Sequence, residues 1–156
     1  MNQRRLGIGA TMLAAASLVF GGPAEARNPH CAGGIQYVVQ GMRDKDRGNM
    51  EDYQRQMSKA IQQLEMCSAE DGQDFEAIGY LGWAYAEVDS MKAAGKAFET
   101  AIAGLQTKDK KKVEWATTNR ESYWATNFNK GIEAINAAQA AYPNYTQEPQ
   151  NEADKS

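Results

Sequence analysis

The sequence has 156 residues, a length that fits one domain, with 17 lysines and arginines against 20 aspartates and glutamates and a net charge of −3. Such a mildly acidic balance supplies no clustered positive excess to hold nucleic acid or anionic lipid. One His and two Cys leave too few ligands for a multi-ligand zinc site and too few bases for His-dependent catalysis.

The chain opens on an address. Arg4 and Arg5 precede an uncharged, mostly apolar stretch over 6–20, and Ala24-Glu25-Ala26 places small residues at the two positions a signal peptidase reads. Residues 1–26 are therefore expected to be a secretory signal peptide. Gly and Ser dilute the apolar stretch and Pro23 breaks it, so no membrane span is expected to remain after cleavage. Removal of Arg4, Arg5 and Glu25 leaves 15 basic and 19 acidic side chains, a net charge of −4. The expected location is periplasmic or secreted.

The mature part is rich in Ala, Gln, Glu, Lys and Met, and its prolines, Pro29, Pro143 and Pro149, fall near its ends, which favours helices. Read at a period of 3.6, Ile35, Val38, Val39 and Met42 form a first stripe, and Met50, Tyr53, Met57, Ala60, Ile61 and Leu64 a second, with Asn49 placed as its cap. A third helix is predicted over 74–87 and a fourth, capped by Asp89 or Ser90, carries Met91, Ala94, Phe98, Ala101, Ile102 and Leu105. A charged loop over 106–112 leads to a fifth helix over 113–125. Asn127 or Asn129 opens a sixth with Ile132, Ile135, Ala138 and Tyr142. Short loops make sequential helices antiparallel neighbours, so the expected fold is all-α, three helical hairpins over 27–142 followed by a disordered polar tail over 143–156.

Export places Cys31 and Cys67 in an oxidising compartment, and the helix assignment puts them at adjoining ends of the first hairpin, so a disulfide is expected. A thiol nucleophile would want a base, and the adjacent His30 points its side chain away. His30 also makes a poor terminal metal site, because Pro29 removes an amide nitrogen. No catalytic residue, metal site or cofactor is expected, and no enzymatic activity.

The central segment carries a recognisable pattern. Ile78, Leu81, Gly82 and Tyr85, followed by Ala94, Phe98 and Ala101, closely resemble the tetratricopeptide repeat, in which small residues sit where paired helices cross and large ones fill the space beside them. Trp115, Gly131, Ile135, Ala138 and Pro143 echo it in the third hairpin, and Gly41, Tyr53, Met57 and Ala60 in the first. The resemblance implies a short solenoid whose first helices line a concave groove. It places Trp83 and Glu87 in that groove, with Arg120, Tyr123 and Trp124 as neighbours, as candidate partner-binding residues; aromatic side chains and Arg commonly anchor interfaces. The basic and Asn residues that clamp a C-terminal carboxylate in some family members are missing, with Val38, Met42, Tyr80, Val113 and Thr117 at the approximate matching places. The implied function is an exported scaffold or assembly factor that binds a peptide or protein segment in the cell envelope. A small-molecule carrier or an accessory subunit of an envelope transporter or enzyme is the alternative. The sixth helix would end the array without a polar cap, which leaves a homodimer open.

Overall fold

In the computed structural model, residues 26–141 are described. The expected signal segment, except Ala26, and the tail after Ala141 lie outside the described residues. The chain is all-helical, with five α-helices and, among the described residues, no strand.

Helix α1 (Pro29–Asp46) starts where sequence chemistry asks it to. Pro29 takes the first turn, which needs no backbone donor, and the Asn28 side chain accepts from the His30 amide at 2.8 Å. It stops at Asp46, and the turn that follows uses Gly48, whose φ of 77° lies in the left-handed region that favours glycine. Helix α2 (Met50–Glu70) runs further than its apolar stripe and takes in 68–70, which the sequence reading gave to a loop, because Ser-Ala-Glu contains no breaker. Asp74 caps α3 (Phe75–Glu87) by accepting from the Ala77 amide at 3.0 Å. Asp89, at φ 58°, turns the chain into α4 (Met91–Leu105). The Asp109 carboxylate then accepts from the Lys111 and Lys112 amides at 3.0 and 3.2 Å and opens α5 (Lys110–Ala141).

The expected third hairpin is not formed. Its two helices are one continuous helix of 32 residues, and the residues expected to break it explain why. The Asn127 side chain donates to the Tyr123 carbonyl at 3.0 Å and Asn119 to the Trp115 carbonyl at 2.8 Å, so these asparagines bond one turn back along the helix. The α1–α2 and α3–α4 turns each use a left-handed residue. None occurs between Lys110 and Ala141.

Packing follows chain order, with α1 on α2, α2 on α3, α3 on α4 and α4 on α5; α3 also touches both α1 and α5. Cys31 and Cys67, at opposite ends of α1 and α2, are both fully buried with their sulfurs at disulfide distance, 2.18 Å. The core there holds Val38, Met57, Leu64 and Leu81. A β-carbon on Gly82 would stand 3.0 Å from the fully buried Phe98 ring, which is why the α3–α4 crossing keeps a glycine at that position. Trp115, packed against Gly79 and Tyr80, seals α5 onto α3.

Candidate functional site

The antiparallel order brings one set of helix ends together: the C-termini of α1 and α3, the N-terminus of α2, and the middle of α5. Glu87, on the last turn of α3, sits at the meeting point with its side chain only 2% exposed. Lys45 Nζ donates to Glu87 Oε2 at 2.6 Å, and so does the Tyr53 hydroxyl, also at 2.6 Å. The Tyr123 hydroxyl donates to Oε1, and the Trp83 indole N–H donates to the Tyr123 oxygen at 2.6 Å. One carboxylate thus ties together α1, α2, α3 and α5.

The electrostatics follow from that geometry. Burial would push the Glu87 carboxyl up, but the bonds from Lys45, Tyr123 and Tyr53 outweigh it and hold its pKa below the ordinary carboxylate value. Tyr53 and Tyr123 move the other way. Burial first, then the bond to the Glu87 carboxylate, push both phenols well above the usual tyrosine value and keep them protonated as donors. Every polar group in this cluster faces another member, which makes it a structural knot.

Of the five residues singled out by sequence, the structure brings three together: Trp83, Glu87 and Tyr123. Trp83 also stacks on Tyr80 at 5.8 Å, within an aromatic floor that includes Trp115. Arg120 stands apart, with Glu121 as its nearest carboxylate at 3.9 Å. Trp124 points elsewhere: it is 65% exposed and stacks on Phe128 with ring centroids 5.4 Å apart. Sequence reasoning missed Lys45 and Tyr53. Their signal was positional, since both lie at the helix ends that an antiparallel order stacks beside the end of α3.

A second feature emerges on another face of α5. Trp124, Phe128, Ile132 and Ile135 recur at a helical spacing along one face, and all four are exposed, Phe128 at 54% and Ile135 at 55%. Tyr123 and Asn127, on the core-facing side, reach Glu87 and the Met91 sulfur. Helix α5 outruns α4, so from Glu133 to Ala141 every residue is exposed.

The described residues also form two clefts. One, of about 480 Å³, is open and charged, lined by residues that include Arg27, Asp74, Glu76, Lys108 and Lys112. Four of its charges are paired: Arg27 makes a two-pronged bond to Asp74 at 2.6 and 2.7 Å, and Lys112 bonds Glu76 at 2.9 Å. Lys108, from the expected charged loop, lies over the Phe75 ring at 4.7 Å. The other cleft, of about 230 Å³, is a notch between α2, α3 and α4 beside Tyr85. The Tyr85 phenol is pushed up to about 12 by burial and its bond to Glu65. Cys31, Cys67 and Asp74 cluster closely enough to suggest ligands, but the two sulfurs are paired with each other. His30 is half-buried with Nδ1 2.8 Å from Gln63 Oε1.

Compared with protein-family models, curated proteins and solved structures, the chain matches none.

Proposed function

We propose that this protein is an exported, tetratricopeptide-like interaction scaffold or assembly factor, and that it recognises a protein segment through the projecting face of α5. The repeat reading is supported by the packing at the pattern positions, where Gly82 admits Phe98, and by α3 lying between α1 and α5 as successive first helices do in a solenoid. The observation that carries the functional reading is the exposed stripe of Trp124, Phe128, Ile132 and Ile135. Contiguous apolar surface of this kind, rich in aromatic side chains, marks interaction sites more often than incidental exposure.

This moves recognition away from the groove that the repeat resemblance implies. Trp83, Glu87 and Tyr123 have their polar groups engaged with one another, which leaves Trp124 and Arg120 of the candidate residues outside the knot, and Trp124 is the one on the apolar stripe. Export remains the reading that explains a paired cysteine couple behind a signal-like segment. A carrier would need an enclosed apolar pocket with convergent polar groups, and neither described cleft has that form.

Site-specific photocrosslinking in an exporting cell tests the reading. A photoreactive residue at position 124 should capture protein, and Phe128→Glu should abolish the capture. Equal capture from position 83, deep in the groove, would return recognition to the groove.

A further inference from the structure

We infer that the occupant of the α5 stripe is a second copy of this chain, joined by antiparallel pairing of the two projecting helix halves. The inference rests on the reading of α5 as the interaction face and names its partner.

The order of side chains along the stripe favours self-pairing. From Trp124 to Ile135 the face reads two aromatics followed by two branched aliphatics, at offsets of four, eight and eleven residues. Placing a two-fold axis beside residue 130 sets Trp124 against the second copy's Ile135, and Phe128 against its Ile132. Each large ring then meets a smaller branched chain, so the two helices stay evenly spaced, as an isologous interface requires. Parallel pairing would oppose ring to ring and branch to branch. Gly131 and Ala138 flank the stripe and let the backbones approach, and a β-carbon on Gly131 would meet nothing within 4 Å in the single chain.

Charge also permits it. The mature chain is net negative, but between Trp124 and Ala141 the only charged residues are Lys130 and Glu133. Lys130 lies 3.8 Å from Asp89, on the side facing the body of the molecule, and Glu133 follows it at helical spacing on that same side. The stripe itself is uncharged and meets no like-charge repulsion across a two-fold axis. The remainder of this sequence gives no alternative cover: residues 142–156 hold Pro143 and Pro149 and show no apolar period matching the stripe. The apolar stretch over 6–20 is the only other segment of this sequence with enough apolar residues, and it is the part expected to be removed.

The decisive experiment is light scattering across a dilution series on the chain as processed by an exporting host, with its disulfide intact. The expected mass at micromolar concentration is twice that of one chain. Trp124→Glu and Ile135→Lys, each at a surface position that the fold tolerates, should weaken association about 30-fold or more, the scale of a buried hot spot. The double variant W124E/I135K sets opposite charges face to face twice and should recover much of the loss, which parallel pairing or a dimer through another face would not produce. Circular dichroism checks that each variant keeps its helix. A monomer at every concentration overturns the inference. If that monomer still crosslinks from position 124 to a different protein, the scaffold reading stands without the dimer. If it crosslinks to nothing, both fall. A monomer that retains residues 1–25, crosslinked to position 124 within one chain, overturns the dimer in favour of internal cover. A dimer indifferent to both charges overturns the assigned surface.

Discussion

The helices from α1 to α4 and the far half of α5 are built from similar amphipathic sequence, yet they end in opposite states. Between Pro29 and Leu105 each apolar stripe finds a facing helix, and Phe98, Met57, Leu64 and Val38 are wholly buried. From Trp124 to Ile135 an apolar row also recurs at helical spacing, and it faces water. The difference teaches that an apolar period fixes which face of a helix seeks cover and says nothing of where the cover comes from. In the first region the chain turns back on itself, at left-handed Gly48 and Asp89 in two of its three turns, and supplies its own partner. In α5 no such turn exists, so its apolar face stays exposed.

The sharpest way to break this comparison is to truncate one phenylalanine in each region. Phe98→Ala should cost about 3 to 5 kcal/mol of unfolding free energy, because it empties a packed core site. Phe128→Ala should stay within about 0.5 kcal/mol at dilutions where the chain is monomeric. Urea denaturation reads both, and equal losses would mean that α5 packs as core.

The disulfide tests the first region as a unit. Pairing across 36 residues should contribute roughly 4 kcal/mol by restricting the unfolded chain. Reduction, or Cys31→Ser with Cys67→Ser, should lower the urea midpoint accordingly. The exposed half of α5 should show no change in its association.

Much of this architecture was legible in the sequence because it rests on local rules. Asn49, Asp74 and Ser90 stand at the helix starts expected of them, and most stripe residues of the first four helices became core, Val38, Met57, Leu64 and Phe98 among them, although Met50 stays exposed and α5 begins at Lys110, inside the stretch 106–112 expected as a loop. The third hairpin was misread because Asn127 and Asn129 suit a cap as well as a helix interior. The outcome depended on whether the Asn127 side chain bonded forward to open a new helix or back to the Tyr123 carbonyl. Trp83, Glu87 and Tyr123 were singled out together, but the bonds that join them were not. Lys45 and Tyr53 lie 42 and 34 residues from Glu87, and only the stacking of helix ends reveals that they meet its carboxylate.

That knot gives the comparison a pH dependence. Glu87 and Asp74 both have pKa values held below their ordinary 4.5 and 3.8, so they favour the fold while ionised. As pH falls, the unfolded chain takes up protons first, at the ordinary values, and the stability they contribute is lost progressively down through the folded values. Chemical denaturation at a series of acidic pH values should show this decline. Glu87→Gln should be less stable at neutral pH, by on the order of 2 kcal/mol for a buried charge-assisted bond network, and should show a shallower acid slope. An unchanged slope would mean that Glu87 is not held ionised by its neighbours.

The central claim is a division of labour between two adjacent residues on one helix. Tyr123 faces inward and closes the carboxylate knot, whereas Trp124 faces outward, on the face proposed for recognition. Urea unfolding of Tyr123→Phe and Trp124→Ala, each at a dilution where light scattering reads a single chain, tests it most directly. Loss of the Tyr123 hydroxyl should cost about 1 to 3 kcal/mol, because Glu87 and the Trp83 indole each lose a partner. Trp124→Ala should leave stability within about 0.5 kcal/mol of the parent. The reverse ranking, with Trp124→Ala the more damaging of the two, would contradict the account.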